Sequence, residues 1–212
     1  MKKFRIFLVC AALLCLMMSV TAYAQDRVID YFYPEGHSSY YTYKGTDKSP
    51  MEKISVQFER AGQEFRMEED PPIPLIGGLI YKNGLVKNCY SLDISDTAVT
   101  AKAWWTRDAA DINNTGSRNR LRYNIVLLRL PDGNETVTWS NTISEGGTVQ
   151  QIWEMSAKRL MIPFNKNGIW VAAQAIEVKR NVFDPQHNPL PGQSTVEYWQ
   201  KGLGKVKVIK VQ

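Results

Sequence analysis

The chain has 212 residues, a formal net charge of +5, three cysteines and two histidines. Most of the positive excess comes from Lys2, Lys3 and Arg5 at the extreme N-terminus, so the rest lacks the concentrated basic footprint that nucleic-acid binding needs. His37, His187 and Cys89 stand apart from one another, in no spacing that would ligate zinc.

The three basic residues precede an apolar run from Ile6 to Val20 and the stretch Thr21-Ala22-Tyr23-Ala24. That order, basic then apolar then small-x-small, is the pattern of a signal peptide. The expectation is therefore a leader at 1–24, cleaved after Ala24, and one β-rich domain at 25–212. The processed protein would be periplasmic, extracellular or on the outer surface, with no transmembrane span, because the apolar run falls short of the roughly 20 residues that cross a bilayer. Lipidation at Cys10 or Cys15 is the alternative, and at Cys15 it would tether the chain to a membrane. Val9 and Leu14 precede these cysteines where a lipidated one normally follows a small residue, so simple cleavage is expected. Cys89 is then the sole cysteine and no intramolecular disulfide forms.

Beyond the leader, period-two alternation recurs between turn residues, as in half-buried strands. Ile54, Val56 and Phe58 share one face of a first strand. Ala61-Gly62 reverses the chain into a second, in which Phe65 and Met67 alternate with Glu64, Arg66 and Glu68. Leu79 to Tyr81 and Leu85-Val86 flank Asn83-Gly84, a dipeptide suited to the positive φ of a tight hairpin. Tyr90, Leu92 and Ile94 continue that return strand, and Val99, Ala101, Ala103 and Trp105 mark the apolar face of the next. The polar segment Arg107 to Arg120 is expected to be a long exposed loop.

Leu121 to Leu130 is apolar on both faces, which predicts a central strand covered on both sides. Pro131-Asp132-Gly133-Asn134 turns it into Val137 and Trp139. The segment 149–160 fits either a helical stripe or an interrupted strand, and periodicity leaves it open. A final pair of strands is predicted at Gly168 to Lys179 and Thr195 to Val211, joined by a Pro-rich loop from Asp184 to Gly192. Lys201, Lys205, Lys207 and Lys210 are taken as a solvated strand face.

Chemistry is sparse along this pattern. No G-x-S-x-G turn accompanies the histidines. Glu68, Glu69 and Asp70 could serve as paired carboxylates for glycoside hydrolysis or bind calcium, but neighbours on a strand point to opposite faces. A solvated strand end is the simpler account, and a hydrolase is the weakest of the functional readings. No catalytic residue, metal or cofactor is assigned. The aromatic residues carry the main signal: Trp104 shares a face with Thr100 and Lys102, opposite the apolar set, Trp199 shares one with Glu197 and Lys201, and Tyr198 adjoins Trp199. If exposed, these rings would stack a sugar or anchor a partner. If covered, they line a core or cavity.

Two segments carry a resemblance. The first is Asp30-Tyr31-Phe32-Tyr33-Pro34-Glu35-Gly36 followed by Tyr40-Tyr41-Thr42-Tyr43, and the second is Tyr198-Trp199-Gln200-Lys201-Gly202-Leu203-Gly204-Lys205-Val206. Together, with Pro34, Gly36, Tyr43, Gly202, Gly204 and Val206 as their fixed points, they resemble poorly characterised β-rich bacterial envelope proteins. Some of those look like the curved half-barrels of lipoprotein carriers. The resemblance implies an open sheet around an apolar interior, and with it a hydrophobic ligand.

The fold expected is mainly β, a single-domain curved antiparallel sheet (half-barrel) with at most one helix, or a β-sandwich. The function expected is a non-enzymatic envelope protein that binds a lipid or the hydrophobic segment of a partner on its concave face. A carbohydrate-binding or adhesive module using Trp104 or Trp199 is the alternative.

Overall fold

A computed structural model describes residues 26–32, 36–45, 50–61, 64–70, 86–108, 121–166 and 168–211. The expected leader, Pro34, the Asn83-Gly84 turn and most of the 107–120 loop lie outside these residues. A short helix, α1 (Ile29–Phe32), precedes eleven strands. They are β1 (Gly36–Lys44), β2 (Glu52–Ala61), β3 (Glu64–Asp70), β4 (Val86–Ile94), β5 (Ala98–Asp108) and β6 (Leu121–Arg129), then β7 (Val137–Glu145), β8 (Thr148–Lys166), β9 (Ile169–Phe183), β10 (Thr195–Gln200) and β11 (Gly204–Lys210).

The strands form one mainly β, curved sheet in the order β6-β5-β4-β3-β2-β1-β11-β10-β9-β8-β7, not closed into a barrel. Every pairing is antiparallel except β1 with β11, where Tyr41 lies beside Lys207. The first and last strands thus meet in the middle of the sheet, and its edges come from mid-chain. Connectivity then demands curvature. Laid flat, eleven strands would hold β6 and β7 about 48 Å apart at the usual strand spacing. The connection from Arg129 to Val137 reaches at most about 28 Å when fully extended, so the sheet must curl to bring its edges together.

The core lies on the concave face. Tyr40, Ile54, Tyr90, Val99, Leu128, Ile143, Trp153, Ile176 and Val208 are each at most 1% exposed there, and Val28, Tyr31 and Phe32 from the N-terminal segment pack into the same cluster. Phe32 stacks on Trp199 at 5.1 Å between ring centroids and meets Phe58 edge-on at 5.4 Å. Turn chemistry is local: Gly146 and Gly147, both at positive φ, join β7 to β8 in a tight turn of the kind that suits the twist of a hairpin.

Several expectations change. Residues 149–160 are strand, within the 19 residues of β8. Leu121 to Leu130 forms the edge strand β6 and is not central. Its Ile125 and Leu128 are buried in the core, while Val126 and Leu127 are only half-buried. Thr195 to Val211 is two strands, because Gly202 at φ 79° turns the chain and its N–H donates to the Asp30 carbonyl at 2.6 Å. The lysines there do not share a wet face. Val206 is an extra residue between the pairs Tyr198–Lys207 and Trp199–Lys205, and this bulge turns Lys205 inward.

β8 and β9 outrun their neighbours. Beyond Ala157 on β8 and Ala175 on β9 they continue as a two-stranded ribbon. Met161, Ile169, Trp170 and Val171 are exposed on it.

Candidate ligand-binding interior and its seam

Alternation places Trp153 and Met155 of β8, Arg180 of β9, Glu197 and Trp199 of β10 and Lys205 of β11 on the concave face. With Met67, Tyr90, Leu127 and Val208 they line a cavity of about 30 Å³. That is room for about two water molecules. A wider groove of about 480 Å³ is lined mostly by the exposed polar residues Thr138, Ser140, Glu154 and Asn181 and lacks such apolar walls.

Among the described residues the cavity wall is apolar except for three charges. Glu197 and Lys205 pair at 3.6 Å, and the Lys205 ammonium also sits 4.8 Å from the centres of the Tyr40 and Trp199 rings. Arg180 is 5% exposed and lies 4.8 Å from the centre of the Trp153 ring. It makes no hydrogen bond or ion pair among the described residues, and its Nε has no acceptor. A cation over a ring gains about 0.5–2 kcal/mol, whereas removing an ion from water costs several. Trp153 alone therefore does not offset the burial of Arg180. Around the same interior the Oγ1 of Thr42 and Thr195 and the Trp199 Nε1 are buried without partners. By contrast, the Trp153 indole N–H donates to Gln151 Oε1 and the Gln151 amide to Gln193 Oε1, both at 2.9 Å.

The two edges of the sheet meet at a seam. No backbone ladder joins β6 to β7 among the described residues; side chains of β7 do. Asn141 accepts from the Val126 N–H at 2.9 Å and donates to the Val126 carbonyl at 3.0 Å, and the Trp139 indole donates to that carbonyl at 3.0 Å. A side-chain amide has one acceptor and one donor group, as a strand residue does, so Asn141 stands in for a pairing strand at one position.

The N-terminal segment is fastened beside this interior by Asp26. Its carboxylate accepts from Arg159, Lys201 and the Tyr31 hydroxyl, and Arg159 also donates to the Pro131 carbonyl in the β6–β7 connection. Burial raises the Asp26 pKa, but these donors outweigh it and hold the group at about 2. Burial and the neighbouring carboxylate push Tyr31 up to about 12.

Trp104 and Trp199 are both buried, at 3% and 2% exposure. Neither offers a flat surface to solvent, which the sugar-stacking alternative requires. For Trp104 the cause is a bulge: Leu92 and Tyr90 of β4, two apart, pair with Ala101 and Trp104 of β5, three apart, so the alternation flips. Tyr198 lies on the opposite, convex face from Trp199. Its hydroxyl donates to Glu177 at 3.1 Å, and Lys207 sits between the Tyr198 and Tyr43 rings. Gly36, Gly202 and Gly204 all have positive φ, and Val206 is the bulged residue. Sequence reasoning missed Arg180, Lys205 and Asn141. Arg180 did carry a signal, being a cation in register with Ile176 and Val178 on an otherwise apolar strand face.

His187 stacks on Phe183 and approaches Glu154 at 3.3 Å, and His37 is exposed on β1. The side chains of Glu68, Glu69 and Asp70 lie outside the described residues. Among those residues no His, Cys, Asp and Glu cluster is arranged to hold a metal, and no helix is long and apolar enough to cross a membrane. No protein-family model, curated protein or solved structure matches this chain.

Proposed function

We propose that this is an exported, non-enzymatic envelope protein whose curved sheet holds a hydrophobic ligand, a lipid or the apolar segment of a partner, against its concave face. Export rests on the pattern of the first 24 residues. The binding role rests chiefly on one observation, a curled eleven-stranded sheet with an aromatic interior whose edges, among the described residues, are joined by side chains alone. The cavity of about 30 Å³ admits no acyl chain as it stands. Loading therefore requires β6 and β7 to part, and a seam of three side-chain hydrogen bonds opens at far lower cost than a continuous ladder. The likeness of the two terminal motifs to lipoprotein-carrier-like proteins points the same way.

The test is native mass spectrometry of the protein purified without detergent, followed by titration with a fluorescent acyl probe. A retained lipid mass or saturable probe uptake is expected. A clean apo mass together with no probe uptake would remove the proposal.

A further inference from the structure

We infer that the interior holds a carboxylate-binding subsite centred on Arg180, so that the ligand is a monoanionic amphiphile and not a neutral lipid. This rests on the proposed apolar-ligand role and specifies which end of the molecule goes where. Among the described residues three charged side chains line the cavity, and two of them, Glu197 and Lys205, pair with each other. Among the described residues, Arg180, 5% exposed, has no carboxylate within ion-pair distance. Its Nε is buried without an acceptor, and among the described residues the guanidinium has no ion pair or hydrogen bond.

The geometry of the group selects the ligand. A guanidinium directs its N–H donors outward in its own plane, in a fork that matches the two oxygens of a carboxylate. Trp153 stacks against the cation and leaves apolar surface beside it. Thr195, the cross-strand partner of Arg180, and Trp199 contribute a further unpartnered hydroxyl and indole N–H to the same interior. Room for about two waters is room for about two carboxylate oxygens. A phosphoryl head brings more oxygens and a second negative charge, exceeding both the space and what one guanidinium meets with a single fork. Met67, Leu127 and Met155 line the remaining wall, where the tail begins.

The purified protein is titrated at mildly alkaline pH with dodecanoate, dodecan-1-ol, dodecyl phosphate, acetate and inorganic phosphate, followed by tryptophan fluorescence and calorimetry. Dodecanoate is expected to bind at least about tenfold more tightly than the alcohol of equal chain length, a difference on the scale of one good charge-assisted contact. Dodecyl phosphate is expected to be weaker than dodecanoate, and acetate and phosphate not to saturate. In Arg180→Met the affinity for dodecanoate should fall to that for the alcohol, with alcohol binding preserved and the melting temperature no lower than that of the unaltered protein. Equal binding of acid and alcohol by the unaltered protein overturns the Arg180 subsite while leaving the apolar-ligand proposal in place. Failure of every amphiphile to bind overturns both. Saturation by acetate or phosphate alone overturns the amphiphile in favour of a simple anion site. Should Arg180→Met not fold, the acid–alcohol comparison on the unaltered protein still decides.

Discussion

Asp26 accepts hydrogen bonds from Arg159 on β8, Lys201 in the β10–β11 turn and Tyr31 of α1. Its charged form is therefore worth more in the folded chain than in the unfolded one, where its pKa returns from about 2 to near 3.8. The sign follows: this stabilisation is fully present above pH 4 or so and is lost as pH falls through about 2. Asp26→Asn is expected to lower stability at neutral pH by about 1–2 kcal/mol, since solvent screens part of the cluster. The difference between the two proteins, measured by urea unfolding, should shrink between roughly pH 4 and pH 2. Parallel stability curves across that range would refute the account. Tyr31 acts at the other extreme, its raised pKa of about 12 meaning that stability is lost as pH climbs from 10 through that value. Nearby, Phe32 is fully buried and stacked on Trp199. Phe32→Ala should cost about 3–5 kcal/mol, a large share of the roughly 5–15 kcal/mol that holds a domain together.

At the level of strands, what could be inferred from sequence depended on whether alternation ran unbroken. β2 and β3 keep a strict period of two: Ile54, Val56, Phe58 and Met67 were assigned to one face and are buried there. Trp104 and Lys205 each sit next to a bulge, and one extra residue inverts every assignment beyond it. A bulge depends on what the neighbouring strand presents, so the pattern of a single strand does not encode it. β6 was misplaced for a related reason. Two-sided apolarity signals cover on both faces, but an edge strand brought back against the opposite edge is also partly covered. Toward its tip the β8–β9 ribbon exposes the apolar residues Met161, Ile169, Trp170 and Val171. Trp170, 69% exposed near its tip, contributes no packing to lose. Trp170→Ser is expected to leave the melting temperature within the scatter of neutral surface changes, about 0.5 kcal/mol or less. A destabilisation beyond about 1 kcal/mol would mean that the ribbon is packed against something in solution.

For the molecule as a whole, the arrangement of strands fixes where it can yield. β1 and β11 pair at the centre of the sheet, so the first and last strands lie in its best-supported region, and among the described residues the edges β6 and β7 carry the only discontinuity in the strand order. Separating them breaks the hydrogen bonds of Asn141 and Trp139 to Val126, while the ladders on either side remain intact. Asn141→Leu keeps the number of side-chain heavy atoms and their branching and removes the amide. It leaves the Val126 N–H without its partner and the carbonyl with Trp139 alone, a loss of about 1–3 kcal/mol for a buried group. Because the lost bonds belong to the seam, that energy should appear as easier local opening. Hydrogen exchange is expected to accelerate at Val126 and along β6 and β7, with β1, β10 and β11 little changed, and an acyl probe should enter and leave faster. Uniform acceleration across the sheet would show instead that the seam opens only when the whole fold does, which would leave the closed interior without a route for loading.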